Sequence, residues 1–337
     1  MSIGLAGFHT GVAIAKQGTN GTAATTGFVF LPAEDADSLD YGQSYIQRNP
    51  AYGLRTNPGE FHRRDYYMPG GQLPSWAMGF DGSSVALLTL LRAFYQNYTI
   101  TDAGGGSSGY TWAFSPLTAN KSSIASYETY TVSKVTGLSG TRNIYYKDSI
   151  GVGLDLNWSA GDVLKAKLGV QSISTSISGT PSGWGAVPTV WRTIGASEQA
   201  WSLYISTGTF TLYPTDISSS VNFAAPDIAG AGLGYRARIT PGIFSGNCTL
   251  TVPRNADVWQ AIEDAGDVMG TFVCTLSPAA TYTSGTLNAI TATARWFGKL
   301  LRDPMPAGPS EDVTGALEMN VHNHTWSVLS AVGSAAI

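Results

Sequence analysis

Charge is scarce in this chain: only 12% of its 337 residues are Asp, Glu, Lys or Arg, about half the roughly 25% of an ordinary globular domain. The formal balance is −4 and no long run of Lys or Arg occurs, which disfavours an electrostatic grip on nucleic acid. Cysteine is nearly absent, and the two present, Cys248 and Cys274, make no disulfide framework and read as buried free thiols. No apolar run reaches membrane-spanning length, so no membrane partner is expected. Residues Met1 to Lys16 lack the basic start, apolar block and cleavage site of a secretory leader. The expectation is a chain that is cytosolic when made.

What the chain does hold is glycine, 40 residues, and aromatics, 11%, a profile that suits a β-rich protein with much of its surface covered by partners. Its length fits one large or two ordinary domains. Most of it reads as short strands between clusters of Gly, Ser, Thr, Asn and Pro. Thr26 to Leu31 is such a strand, and Pro32 to Pro69 is a polar excursion without an apolar face, long enough to be a hairpin that reaches outward. Within it Arg63, Arg64, Asp65, Tyr66 and Tyr67 mix charge and aromatics as interfaces do.

Ser75 to Phe80 predicts a strand, and Asp81 or Ser83 can cap a helix running from Val85 through Leu87, Leu88, Leu90, Leu91 and Phe94 to Tyr95. Strands are predicted at Tyr110 to Phe114 and Ser126 to Val135. Val152, Leu154, Leu156 and Trp158 alternate with polar residues, a turn follows at Ala160 to Asp162, and Leu164, Ala166, Leu168 and Val170 return, so Val152 to Ile173 reads as a hairpin. Gly, Pro and Ser gather at Gly179 to Ala200, which places a domain boundary there and divides the chain into 1–185 and 186–337. Beyond it comes a strand at Cys248 to Val252. A helix follows, capped by Asn255, striped by Val258, Trp259 and Ile262 and closed by Gly266. Thr271 to Leu276 is again a strand, so the order strand, helix, strand occurs twice. Ala289 to Leu301 is ambiguous between strand and short helix. The last strand, Leu317 to Thr325, sets Leu317, Met319 and Val321 against Glu318, Asn320 and His322.

No constellation advertises catalysis, a cofactor or a metal. Gly104, Gly106 and Gly109 satisfy a dinucleotide spacing, but Tyr110, Thr111 and Trp112 follow where a helix should start. His322 and His324, two apart on one face of a strand with Glu318 farther along that face, have metal-ligand spacing without a convincing third ligand. A solvated or interface face explains them better. His62 with Asp65 has no nucleophile-elbow serine, and Glu263 with Asp264 reads as a solvated helix end. Trp158, Trp259 and Trp296 could stack on sugars or bases, but core or subunit contact is the commoner use of such positions.

The run VAIAKQGTNGTAATTGFVFLPAEDADSL from Val12 to Leu39 resembles the opening of the major tail tube proteins of long-tailed bacteriophages. There a first strand ends in a Gly-Thr turn, here Gly21 and Thr22, and the next closes on Leu-Pro, here Leu31 and Pro32. The capped helix before Tyr95 resembles the family's flanking helix, and the hairpin Val152 to Ile173 its sheet-forming strands. The resemblance implies a mainly β fold of β-sandwich or barrel-like domains, each with a helix on its flank, in a two-domain version. It implies a structural virion protein, not an enzyme and without cofactors, that forms rings stacked into the tail tube, the conduit for genome ejection. Its partners would be itself, as trimeric pseudo-hexameric rings or hexamers, a tape measure protein inside the tube, tail terminator and tail tip proteins, and passing double-stranded DNA without specific binding. Assembly would occur in the host cytoplasm.

On that reading Arg63, Arg64, Asp65, Tyr66 and Tyr67 are inter-ring contact candidates. Asp155, Asn157, Glu318 and Asn320 are candidates to line a weakly acidic lumen, although an outer face is equally open to them. Lys165 and Lys167 oppose an acidic face unless hairpin pairing sets them against Asp155 and Asn157. The competing reading is a virion β-sandwich adhesin or carbohydrate-binding module with exposed aromatics.

Overall fold

The computed structural model describes residues 11–31, 43–44, 66–67, 70–72, 76–77, 79–80, 85–102, 109–117, 127–136, 142–178, 192–223, 228–229, 236–238, 242–253, 256–265, 268–277, 291–301 and 314–330. Their fold is mainly β: 17 strands join in one antiparallel hydrogen-bonded network, accompanied by two α-helices. The first strands are β1 (Gly11–Lys16), β2 (Val29–Leu31), β3 (Gly70–Gln72) and β4 (Trp76–Ala77), followed by helix α1 (Val85–Tyr95). Then come β5 (Tyr98–Asp102), β6 (Tyr110–Phe114), β7 (Tyr130–Thr136), β8 (Arg142–Ser159), β9 (Lys165–Gln171) and β10 (Ser174–Ser178). The rest are β11 (Gln199–Ile205), β12 (Gly208–Leu212), β13 (Asp216–Phe223), β14 (Phe244–Pro253), helix α2 (Ala256–Ala265), β15 (Met269–Leu276), β16 (Thr291–Leu301) and β17 (Thr314–Ser330).

The 18-residue strand β8 organises the network. Its first half belongs to a small section ordered β2, β1, β7, β8, β10. Its second half enters a larger section ordered β9, β8, β13, β14, β17, β16, β15, β11, β12. β6 and β5 lie beside the last residues of β17, and β3 and β4 beside β9. Strands from both sides of the expected boundary at 185 and 186 thus share ladders, β8 with β13 and β6 with β17. One cluster of buried side chains continues across them.

Period-two patterning accounts for the large section. In β16 the residues Ala292, Ala294, Trp296 and Leu300 point inward, so the segment that composition left ambiguous resolves as a strand. The sheet curls around its apolar face: β13 and β16 are separated in the ladder by β14 and β17, yet Trp296 Nε1 donates to Ser219 Oγ at 2.7 Å. Among the described residues the curl does not close, because β12 at one border and β3 and β4 at the other do not pair.

Helix α1 occupies the predicted span and is apolar nearly all round, with Leu88, Leu91, Phe94 and Tyr95 almost fully buried. A helix of that composition must be covered on every side. Gly151 in β8 makes the approach possible, since a Cβ there would lie 2.9 Å from the Ala93 carbonyl oxygen and the Phe94 Cα. The helix stops at Gln96, whose φ is 57°. Its side-chain amide donates to the Ala93 carbonyl at 3.2 Å, satisfying one of the helix's last acceptors, and ties the helix end to the Glu128 backbone by accepting from its N–H and donating to its carbonyl, both at 2.8 Å.

Candidate functional site

Directly opposed residues of antiparallel strands point to the same face, and this rule brings distant parts of the chain together. One cross-strand row reads Lys167, Asp155, Ser220, Asn247, Asn320, Lys299 over β9, β8, β13, β14, β17 and β16. The neighbouring row reads Lys165, Asn157, Ser218, Thr249, Glu318, Leu301. All four expected lining residues therefore share one face of one sheet, in adjacent rows. Asn157, Glu318 and Asn320 are exposed and Asp155 is half-buried. The opposite face of the same strands carries Leu154, Leu156, Val221, Leu250 and Met319, all buried.

The face is closer to neutral than the expected weakly acidic lining. Its two rows hold Asp155 and Glu318 against Lys165, Lys167 and Lys299. Lys165 turns to the hairpin turn, where its Nζ lies 2.9 Å from Asp162 Oδ2. Lys167 stands opposite Asp155 in register, with no ion pair joining them.

The other expectations fall as follows. Arg63, Arg64 and Asp65 lie outside the described residues. The backbone of Tyr66 and Tyr67 pairs antiparallel with Ser44 and Gln43. His62, Gly104 and Gly106 are also outside, and Gly109, with φ +83°, leads straight into strand β6 rather than a helix. Cys248 and Cys274 are buried free thiols, which burial pushes up in pKa. Trp158 and Trp296 are buried, and Trp259 is half-buried against the core. Among the described residues no group of three or more potential metal ligands occurs.

His322 and His324 do not share a face, which corrects the sequence reading. The register of β16 with β17 shifts between Phe297 and Gly298. This bulge turns His322 outward and His324 into the core, where it is fully buried. A Cβ on Gly298 would collide with the Asn320 carbonyl, so the glycine inside β16 was the one sequence signal of the bulge. His324 stacks on Trp296 at 4.7 Å and 21°, and its Nδ1 lies 2.7 Å from the Tyr95 hydroxyl. Burial pushes that hydroxyl's pKa up, so it keeps its proton and donates to Nδ1. Burial holds the imidazole down at about 3, and its Nε2 finds no partner among the described residues.

A second cluster, half-buried and also missed in the sequence, centres on Glu128. Its carboxylate accepts from Lys16 Nζ at 2.8 Å, Arg92 Nη2 at 3.0 Å, Tyr98 at 2.8 Å and Tyr130 at 3.1 Å. Burial alone would raise its pKa, but the hydrogen bonds from Lys16 and Arg92, the charge of Arg92 and the Tyr98 hydroxyl hold it down at about 2. The arrangement ties α1, β1, β5 and β7 together and leaves no vacant chemistry. In comparison with known proteins, the chain matches no family model and no curated protein.

Proposed function

We propose that the chain is a structural protein that assembles with its own copies into stacked rings, forming the tail tube of a long-tailed bacteriophage. The observation that carries this reading is the polar face shared by Asp155, Asn157, Glu318 and Asn320. Serine, threonine and asparagine between a few charges of both signs neither hold nor repel phosphates strongly, as a bore through which double-stranded DNA slides requires. Borders at β12 and at β3 and β4 that have no strand partner among the described residues offer edges to neighbouring copies. The expected sandwich or barrel-like units in tandem, the trimeric or hexameric ring, and the tape measure, terminator and tip partners belong to this proposal, as does the absence of enzymatic activity.

The adhesin reading needs exposed aromatic platforms. Among the described residues Trp112, Trp158, Trp201, Trp296 and Trp326 are all buried, and the exposed rings are Tyr110, Tyr204, Tyr213 and Phe297, so no tryptophan platform supports the adhesin. Electron microscopy of the purified protein tests the proposal: rings or tubes with three-fold or six-fold symmetry are expected. A protein that stays monomeric at high concentration in light scattering would remove it.

A further inference from the structure

The outer face of the large sheet changes character away from the lining rows. Across β5, β6, β17 and β16 it sinks into a groove of about 380 Å³ whose only charged lining residue, among the described residues, is Arg295. Thr293, Thr325 and Ser327 surround this arginine with hydroxyls, and at the other end Asn97 Nδ2 donates to Ser115 Oγ at 2.8 Å. Arg295 is exposed and makes no ion pair or hydrogen bond, whereas Arg92, Lys16 and Lys165 are each paired with a carboxylate. A guanidinium fork in a bowl of neutral hydroxyls suits a carboxylate, which it can bind through two parallel bonds.

The chain carries a matching anionic surface elsewhere. Helix α2 ends in Glu263 and Asp264, with no basic residue in its last turn. Both are exposed; Glu263 has no partner, and Asp264 is met only by Gln260 Nε2 at 2.7 Å. Carboxylates at the negative end of a helix dipole are unfavourable in the isolated subunit, so an external cation stabilises them more than it would an ordinary surface acid. Neither pairs with Arg295 of its own chain.

We infer that the Arg295 groove receives the acidic last turn of helix α2 from a second copy of this chain, through Glu263 and Asp264. The two patches differ, so the contact is head-to-tail, and its repetition generates a closed ring or an open filament. The inference rests on the self-assembly reading and supplies one of its contacts.

The full-length protein tests it, with the concentration for half-assembly followed by sedimentation velocity and folding checked by circular dichroism. Arg295→Glu is expected to raise that concentration roughly tenfold or more, and the pair Glu263→Lys with Asp264→Lys to do the same. Combining all three changes restores assembly, because the charges are exchanged rather than lost. If Arg295→Glu lowers the folded fraction, Arg295→Cys with Glu263→Cys provides the second measurement, a covalent link between copies on mild oxidation. Arg295→Glu assembling like the parent, or the triple variant no better than its parts, overturns the contact and leaves the tube reading standing. A parent chain that never assembles overturns both.

Discussion

The two sections of the sheet are held by different physics. In the small one both faces are covered, and its buried positions include Gln17, Thr129, Thr131, Ser133, Asn143 and Asp148. The segment after β1 lies over one face and is fastened by hydrogen bonds: Ala24 N to Thr131 Oγ1 at 2.9 Å, Gly21 N to Asp148 Oδ1 at 2.8 Å, and the Asp148 N–H to Gln17 Oε1 at 2.7 Å. The curled section is held by rings instead. Trp296 stacks between Trp201 at 5.3 Å and His324 at 4.7 Å, and Phe94 from α1 meets Phe223 at 5.1 Å. Directional bonds fix register, because each has one geometry that satisfies it. Ring packing fixes volume, and its removal leaves a void.

The sharpest way to break this comparison is Trp296→Ala. It removes a side chain that is 1% exposed, two stacked neighbours and the bond to Ser219 Oγ. Large-to-small changes of this kind cost about 3–5 kcal/mol, and equilibrium unfolding in denaturant should show a loss of that size. A loss below about 1 kcal/mol would mean that the curled section does not depend on its rings.

How far the sequence told this in advance depends on the range of the interaction. Helix α1 was legible because its apolar face is local: the sequence places its end near Asn97 and it ends at Tyr95, while the expected caps Asp81 and Ser83 lie outside the described residues. The hairpin of β8 with β9 was legible because both strands alternate, and its register sets Leu154 against Leu168. The expected strand at Ser126 to Val135 starts only at Tyr130, since Glu128 spends both of its backbone groups on the Gln96 side chain. The meeting of Asp155 with Asn320 was not legible, because it requires β13 and β14 to lie between them. His324 was misplaced for a related reason: an alternation rule carried past Val321 fails at a bulge that depends on a glycine of another strand.

Acid separates the two sections next. The His324 imidazole is held at about 3 by burial, against an ordinary value near 6.5 for an exposed histidine. The unfolded chain therefore binds a proton that the folded chain refuses. Stability from this group is intact above about pH 6.5 and falls as pH drops toward 3, by roughly 2 kcal/mol at pH 5. The Glu128 carboxyl has the same sign in a lower window: its contribution is full above the ordinary carboxylate range and is lost as pH falls through about 2. Unfolding free energies measured from pH 7 to pH 4 should slope downward in the parent and lose most of that slope in His324→Phe. An unchanged slope in the variant would assign the acid sensitivity to another group.

The smallest effect sharpens the comparison from the other side. Lys16 and Arg92 both donate to Glu128 Oε1, at 2.8 and 3.0 Å. The Lys16 side chain is 39% exposed and that of Arg92 only 3%. Water can replace the lysine ammonium, so Lys16→Met should cost less than about 1 kcal/mol, as exposed ion pairs do. The guanidinium has no such substitute: Arg92 also sits over the Tyr98 ring, its Cζ 4.8 Å from the centroid, and its loss would strand a half-buried carboxylate. If the hydrogen-bonded section is held by its buried members, Lys16→Met leaves the unfolding midpoint nearly in place, and a double-mutant cycle with Glu128→Gln gives a small coupling for lysine and a larger one for arginine. Equal couplings would show that the charges act through solvent, and that burial adds nothing to the bonds around Glu128.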